Sequence, residues 1–157
     1  MQLDPSNVGL AIKGAVRAME RAFDFELRST AKITLSQARV IRALLTGKDG
    51  MTQKEIAEGI AVEAPTLVPI IDRMEHDGLV ERMQDRDDRR NNRIYLTAKS
   101  RSLSDAIDTS LERVRKAAYR GIPKEDIETL MQVLDSVAKN ATAFLESQTS
   151  KQVQKVK

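Results

Sequence analysis

The chain has 157 residues, of which 31% are charged and 3% aromatic, and its formal net charge is +3. This length allows one domain with a proper core, and the composition is typical of a helix-rich globular protein. The absence of cysteine excludes a disulfide framework, a thiolate metal site and a thiol redox sensor. No apolar run approaches the ~18 residues of a membrane span and no signal peptide is apparent, so we expect a cytoplasmic protein without a membrane partner.

Two helices are predicted at the start of the chain. The first begins with Asp4 and Pro5, a cap residue followed by a proline that suits the first helical position. Its apolar residues recur at spacings of three and four and form one stripe: Val8, Ile12, Ala15, Met19, Ala22, Phe23 and Leu27. Thr34 and Gln37 have the spacing of a capping box, which predicts a second helix that Gly47 ends.

Residues 52–77 are predicted to form two helices joined by a compact turn. Thr52 and Glu55 repeat the capping box and start the shorter helix. The longer helix has the strongest helical pattern in the chain, with apolar side chains at i, i+3, i+4 and i+7: Leu67, Ile70, Ile71 and Met74. Gly78 is placed to end it as residue C′. This arrangement is typical of a helix-turn-helix.

After Gly78 the apolar period becomes that of a strand. Leu79–Met83 and Arg93–Leu96 are predicted as two strands, the second of which alternates apolar and polar residues. The charged segment between them, residues 85–92, therefore forms the tip of a hairpin.

Two more helices are predicted after the hairpin. Thr97 caps one that runs to about Arg120, and Pro123 starts the last one, which ends in a basic tail at 150–157. The last helix carries one apolar stripe: Ile127, Leu130, Met131, Leu134, Ala138, Ala141 and Leu145. Because the stripes of the first and last helices exceed what the central lobe can cover, we expect a dimer in which these helices pack together.

A helix-turn-helix followed by a hairpin is the winged-helix arrangement. Residues 35–100 closely resemble the MarR family of bacterial transcriptional regulators through the ordered segments LSQARVIRALL, TQKEIAEGI, PTLVPIIDRMEHDGLVER and DRDDRRNNRIYLT. In the family an Asp-x-Arg pair precedes a wing strand that ends in Leu-Thr; here these are Asp88-Arg89-Arg90 and Leu96-Thr97. The predicted fold is mainly α with a small β-hairpin wing, a winged helix-turn-helix with long N- and C-terminal dimerisation helices.

The predicted elements and the resemblance together divide the chain into an N-terminal dimerisation helix at 1–34, a DNA-binding lobe at 35–97, C-terminal dimerisation helices at 98–149 and a flexible basic tail at 150–157. The resemblance implies a homodimeric, sequence-specific regulator that binds a near-palindromic operator in double-stranded DNA, a repressor relieved by a small aromatic or phenolic ligand. With one histidine and no catalytic motif, no enzyme, cofactor or metal site is expected. The alternative is a winged-helix protein–protein assembly module.

By this resemblance, Arg90 is the residue that enters the minor groove and Asp88 is its support. A narrow A·T-rich groove concentrates negative potential, which attracts an arginine. A neighbouring carboxylate can hold and aim the guanidinium through charge-assisted hydrogen bonds. Arg86, Arg89 and Arg93 are candidates for phosphate contacts. The alternative for this segment is a solvated loop whose charges neutralise one another.

The recognition helix is predicted to run from Pro65 to about Asp77. Seven candidates for DNA contact lie on its outward face or at the start of the preceding helix: Thr52, Gln53, Pro65, Thr66, Val68, Pro69 and Arg73. Val68 and Pro69 stand where the family commonly has a polar pair such as Thr-Arg. One interpretation is that both contact thymine methyl groups. The other is that Pro69 merely shapes the helix start. In a helix that starts late, Pro69 would cost less than the ~3 kcal/mol of an interior proline.

Two other polar residues of this helix are interpreted structurally. Asp72 is placed to accept an ion pair from the wing or from its own helix. His76 is the only histidine and lies in the last turn, where a cation suits the helix dipole, so a capping or phosphate-contacting role is expected rather than a catalytic one.

The resemblance also implies an effector site, because family members commonly respond to small aromatic or phenolic anions. Their cleft lies between the dimerisation helices and the DNA-binding lobe, which here means the first, second and fifth predicted helices. Phe23, Phe25, Arg28 and Arg42 are the candidates by position and chemistry, and ordinary packing is the alternative for all four. Ligand binding would couple to DNA binding by changing the spacing of the two recognition helices.

Overall fold

The computed structural model describes residues 7–48, 50–85 and 92–155, with side chains up to residue 149. In chain order its elements are α1 (Val8–Thr30), α2 (Leu35–Thr46), β1 (Met51–Thr52), α3 (Gln53–Gly59), α4 (Ala64–His76), β2 (Val80–Gln84), β3 (Asn92–Leu96), α5 (Ala98–Arg101), α6 (Ser104–Ala118) and α7 (Lys124–Lys155). They fall into two compact units, one ending at Ala118 and the other beginning at Tyr119. Among these helices, none of the described ones is both long and apolar enough to cross a membrane.

Both predicted capping boxes are confirmed. The Thr34 hydroxyl accepts a hydrogen bond from the Gln37 backbone N–H at 3.1 Å, and the Gln37 side chain accepts one from the Thr34 N–H at 2.8 Å. Thr52 and Glu55 make the same reciprocal pair at 3.2 and 2.6 Å. The backbone and hydroxyl hydrogen bonds from Thr52 lower the pKa of the Glu55 carboxyl. Each box satisfies N–H groups that a helix start leaves without partners, which fixes where α2 and α3 begin.

The end of α4 is also as predicted. Gly78 adopts a left-handed φ of +68° and its N–H donates to the Glu75 carbonyl at 3.0 Å. The Leu79 N–H donates to the Met74 carbonyl at 2.8 Å. These two bonds form a Schellman motif with Gly78 at C′, so the chain leaves the helix directly toward β2.

The three strands form an antiparallel sheet in the order β1-β3-β2. The hairpin register runs from Val80 opposite Leu96 to Gln84 opposite Asn92, which confirms both predicted arms within one residue. In β3, Ile94 and Leu96 are buried, as their alternation predicts. The strand β1 was not predicted, because a two-residue strand shows no periodicity and forms through its pairing with β3.

The helices and strands of the first unit share one apolar core. Its fully buried side chains come from both helices and strands: Leu27, Val40, Ile41, Ile56, Leu67, Ile71, Met74, Ile94 and Ile107. Because Leu27 of α1 and Ile107 of α6 belong to this core, the predicted divisions after residues 34 and 97 do not separate independent cores. They remain a proposal about which segments dimerise and which bind DNA.

Three of the predicted helix limits differ from the structure or lie outside the described residues. The helix expected from Thr97 to Arg120 is instead two helices, α5 and α6. Between them the Leu103 N–H donates to the Ser100 carbonyl, only three residues back, at 3.1 Å, so the i→i−4 hydrogen-bond pattern is interrupted. The helix α7 continues to Lys155, into the predicted tail, where lysine and glutamine support helix. The expected cap at Asp4 lies outside the described residues.

We expect Leu67→Ala to destabilise the protein by about 2–5 kcal/mol, because it removes a fully buried side chain and leaves a cavity. Its neighbour Val68 is 44% exposed, so Val68→Ala should change the free energy of unfolding by about 0.5 kcal/mol or less. Urea unfolding of both variants at one protein concentration makes the comparison. Equal losses of stability would contradict the position of α4 in the core.

Candidate nucleic-acid interface

The rotation of α4 separates its core face from its solvent face. Leu67, Ile71 and Met74 are completely buried. The predicted DNA-contact residues of this helix are all exposed on the remaining surface: Pro65, Thr66, Val68, Pro69 and Arg73. The structure therefore places them together on one side of α4, with apolar residues preceding Arg73 along the chain.

The start of α4 decides whether Pro69 lies in the first turn of the helix or in its interior. Its first residue is Ala64, Glu63 is the extended N-cap residue, and the Thr66 N–H donates to the Glu63 carbonyl at 2.9 Å. Pro65 lies in the first turn, where no helical donor is needed. Pro69 is inside the helix, where it removes the N–H that would reach the Pro65 carbonyl. The late helix start is thus wrong, and Pro69 is an interior proline on the exposed face.

The segment before α4 holds the other two candidates. Thr52 is the N-cap of α3, and its hydroxyl both accepts from the Glu55 N–H and donates to the Glu55 carboxylate at 2.9 Å. Gln53 is the first residue of α3 and is half-buried. Ala61 takes a φ of +55° in the turn that leads to α4. Thr52 is therefore committed to capping, while Gln53 is the more available of the two.

Arg93 lies at the base of the wing and is engaged within the protein. Its Nε is 2.6 Å from a carboxylate oxygen of Asp85, and its Nη1 donates to the Gly50 carbonyl at 2.9 Å. Gly50 has a φ of +85°, and a Cβ there would lie 2.7 Å from the Tyr95 ring. Arg93 thus braces the wing against β1, and its phosphate contact stays a prediction.

The predicted wing-tip residues lie outside the described residues: Arg86, Asp88, Arg89 and Arg90. The last hairpin pair before them is Gln84 opposite Asn92. Their roles therefore rest on the sequence.

Arg82 on β2 is a residue that the sequence analysis did not single out. Its Nη1 donates to the Glu75 carboxylate at 2.6 Å and its Nη2 donates to the Asp72 carboxylate. Partial burial opposes its charge, but the hydrogen bonds and charges of the two carboxylates prevail and raise the pKa of Arg82. The ion pair that Asp72 was predicted to accept thus comes from the wing. No local sequence pattern links Arg82 to Asp72, so this donor becomes apparent only when β2 packs on α4.

Asp77 joins three elements at the end of α4. Its carboxylate accepts from His76 Nδ1 at 3.2 Å and from Gln37 Nε2 at 3.3 Å, and Arg73 Nε lies 3.8 Å away. Hydrogen bonds from His76 and then from Gln37 lower the pKa of Asp77. Its carbonyl accepts from Lys99 Nζ at 2.7 Å. The end of α4 is therefore held to α2 and α5.

An open cavity of about 900 Å³ lies between α1 and α2. Its lining is rich in arginine and includes two of the predicted ligand residues: Gly14, Arg17, Glu20, Arg21, Asp24, Phe25, Arg28, Leu35, Ser36 and Arg39. Phe23 instead packs against the core, and Arg42 pairs with Asp108 at 3.2 Å. The structure thus brings Phe25 and Arg28 together but places Phe23 and Arg42 elsewhere, and this cavity involves only two of the three expected helices.

Asp24 connects this cavity to the start of α2. One carboxylate oxygen lies 2.5 Å from Arg28 Nε and the other accepts from the Leu35 N–H at 2.9 Å. The Arg28 hydrogen bond, with a smaller contribution from Leu35, lowers the pKa of Asp24 against the opposing effect of burial. The carboxylate therefore acts as a further N-terminal cap of α2 from the neighbouring helix.

Comparison with known proteins identifies this architecture. The family model of the MarR family matches residues 33–91. The solved structure of the transcriptional regulator PA3341 is 30% identical, covers 85% of this chain and 97% of its own, and superposes with a TM-score of 0.72. The chain belongs to the MarR family.

More distant structures share the same winged-helix fold. A MarR-family transcriptional regulator from Rhodococcus sp. RHA1 is 22% identical over 88% of this chain and 96% of its own, with a TM-score of 0.74. The transcriptional repressor CouR is 23% identical over 88% of this chain and 99% of its own, and its structure superposes with a TM-score of 0.74. That structure contains a 23-mer DNA duplex. CouR from Rhodococcus jostii RHA1 has also been solved with p-coumaroyl-CoA. The chain is thus a MarR-family transcriptional regulator with a winged helix.

In this MarR-family chain we expect Asp24→Asn to lower stability by roughly 1 kcal/mol or less, since solvent screens the partly exposed pair. Folding lowers the pKa of the Asp24 carboxyl below its usual 3.8. The contribution of this carboxylate to the free energy of unfolding is therefore present above pH 3.8 and is lost as the pH falls through the pKa of the folded state.

Urea unfolding at about pH 6 and about pH 3 measures this difference. The matched control is Asp108→Asn, which removes an exposed carboxylate paired with the exposed Arg42. If wild type and Asp24→Asn differ in free energy of unfolding by as much at the lower pH as at the higher one, the ionised Asp24 carboxylate does not stabilise the protein as described.

Proposed function

We propose that this MarR-family chain is a homodimeric repressor that binds a near-palindromic operator. In this proposal α4 enters the major groove and the hairpin at 85–92 reaches the adjacent minor groove. The observation that carries it is the single exposed face of α4, with Thr66, Val68 and Arg73 outward, directly preceding a β-hairpin. CouR, which shares the fold, has been solved with a DNA duplex, and this supports a DNA-binding function for the present chain.

The chemistry of the exposed α4 face suits a duplex. The major groove is about 12 Å wide and admits a helix. Thr66 is near the N-terminus of α4, where its exposed hydroxyl suits a phosphate oxygen. Arg73 is 73% exposed at its side chain and offers a fork of donors to a guanine edge. Val68 and Pro69 offer only apolar contact, which fits thymine methyl groups.

The wing supplies the second part of the interface. In the proposal Arg90, supported by Asp88, enters the minor groove, while Arg86, Arg89 and Arg93 lie near phosphates. The internal partners of Arg93 favour a bracing role for that residue, so the proposed DNA contacts of the wing are assigned chiefly to Arg86, Arg89 and Arg90.

Dimerisation is proposed through the outer helices. Besides Phe25 in the cavity, the exposed large apolar residues of α1 are Val8, Leu10 and Val16, and those of α7 are Leu130, Met131, Val133, Val137, Phe144 and Leu145. So much exposed apolar surface on two helices is typical of an interface. A two-fold dimer would place the two α4 helices in successive major grooves ~34 Å apart, which requires a near-palindromic operator.

The cavity between α1 and α2 is the proposed effector site. Arg17, Arg21, Arg28 and Arg39 suit an anion, and Phe25 offers an aromatic face. Glu20 pairs with Arg39 at 2.8 Å and Asp24 pairs with Arg28, so an anionic ligand would compete with these carboxylates. The p-coumaroyl-CoA complex of CouR supports an effector with an aromatic acyl group.

We expect Arg90→Ala to weaken binding to the DNA upstream of the protein's own coding region by about 10- to 100-fold. The salt dependence should also fall, with the slope of log K against log salt decreasing by roughly 0.9 for each charge removed. Fluorescence anisotropy at several salt concentrations measures both effects, and sedimentation velocity should show an intact dimer.

The control is Arg113→Ala, which removes the same charge from an exposed position on α6. Unchanged affinity in the Arg90 variant, or binding without salt dependence, would favour the assembly-module alternative.

The contact of Val68 and Pro69 with thymine makes a separate prediction. Replacing thymine by uracil removes only the C5 methyl, so affinity should fall a few-fold at the operator positions under α4. Val68→Ser should lose most of that sensitivity in the same titration. If wild type tolerates uracil at every position, Val68 and Pro69 do not recognise thymine methyl groups.

A further inference from the structure

We propose that Arg82 is a positioning residue that sets the orientation of the wing relative to the recognition helix α4 for DNA binding. This inference rests on the proposed DNA-binding function. It assigns to Arg82 the role of joining the two elements that enter the two grooves, without touching DNA itself.

The geometry of Arg82 joins two turns of α4 to one strand. Arg82 is the third residue of β2, and its side chain is 21% exposed. Its two terminal nitrogens bind the carboxylates of Asp72 and Glu75, which are three residues apart and therefore neighbours on one helix face. Two anchor points on a planar group fix a rotation as well as a distance. The bridge therefore constrains how β2 crosses α4.

The position of Arg82 in the strand is one where an apolar residue would be expected. Side chains at i and i+2 share a face of a strand, and Val80 on the same face is buried. The ladder partner of Arg82 is Ile94, which is also buried. The opposite face carries Glu81 and Met83, both exposed. An arginine thus occupies the inward row of β2, directed at the recognition helix.

This arrangement has a cost that a purely stabilising residue would avoid. Among the described residues, the Nε of Arg82 is a buried donor with no hydrogen-bond partner. An unpaired buried donor is unfavourable, and an apolar side chain of similar volume would often be as stable as a partly buried ion pair. The bridge is therefore better explained by the specific orientation that it imposes.

The expected consequence is preorganisation. Arg82 lies two residues before the end of β2 at Gln84, and Asp72 is adjacent to Arg73 on α4. If the bridge is loosened, the free protein must order the wing against the helix when it binds, and this ordering lowers affinity without removing any contact to DNA.

For the two carboxylates of this bridge, electrostatic repulsion alone predicts the opposite effect on DNA affinity. Removing a carboxylate beside a DNA-binding helix reduces repulsion from phosphates, so Asp72→Asn and Glu75→Gln would strengthen binding if the acids only contributed charge. If they position the wing, both substitutions weaken binding to the operator. The matched control is Glu81→Gln on the exposed face of β2, which removes the same charge outside the bridge.

The test measures fluorescence anisotropy with full-length protein, using promoter DNA and a random duplex of equal length at several salt concentrations. The variants are Arg82→Lys, Asp72→Asn, Glu75→Gln, Glu81→Gln and the double variant Asp72→Asn with Arg82→Lys. We expect each bridge variant to bind promoter DNA about tenfold more weakly, with unchanged salt slope and unchanged binding to the random duplex. The double variant should be no weaker than Arg82→Lys alone, because both changes break one bridge.

Two results would overturn the inference. Carboxylate variants that bind promoter DNA as tightly as wild type or more tightly would show that orientation does not depend on the bridge. An Arg82→Lys variant that loses promoter and random DNA binding equally would make Arg82 a phosphate contact. Thermal unfolding verifies that the isosteric Asp72→Asn variant is folded. Wild type that fails to prefer promoter DNA would overturn the proposed function as well.

Discussion

The burial of Leu67, Ile71 and Met74 sets the rotation of α4 about its own axis, and the proposed interface depends on that rotation. Each of these side chains is fully buried and contributes about 1.5–3 kcal/mol relative to exposure. Successive helical residues are separated by about 100°. A rotation by one residue would expose this row and drive charged neighbours into the core, at a prohibitive cost. The core therefore selects the face that carries Thr66, Val68 and Arg73.

Polar contacts then hold this rotated helix to the rest of the first unit. Asp24 in the cavity binds the Leu35 N–H at the start of α2. In the same turn, Gln37 closes the capping box with one end of its amide and reaches Asp77 with the other. The wing is joined to the same helix by Arg82. Consecutive hydrogen bonds thus run from the proposed effector cavity through α2 to the end of the recognition helix.

The sequence predicted local features well because local chemistry determines them. Thr34, Thr52 and Gly78 act within one helical turn, so their spacing alone is informative. Features made by distant segments were not predictable in the same way. The strand β1 exists only through β3, and the partners of Arg82 emerge only when β2 packs on α4.

The candidate sites show the same division between local and non-local information. The exposed face of α4 follows from helical periodicity, so its five predicted residues are indeed exposed together. The ligand residues were chosen by residue type and position along the chain. Phe23 and Phe25 are two residues apart, roughly 200° around the helix, so one faces the core and the other the cavity. Arg42 is engaged by Asp108 of α6, a partner that the linear sequence does not indicate.

The most direct test of the account is to map where α4 lies on DNA. The chain has no cysteine, so a single cysteine at Thr66 can carry a DNA-cleaving iron chelate without background labelling. With promoter DNA, we expect two clusters of strand cleavage about one helical turn apart, centred on successive major grooves. The same chelate on a cysteine at the exposed Lys116 of α6 should cleave little. Cleavage from Lys116 but not from Thr66 would contradict the assignment of α4 as the helix that enters the duplex.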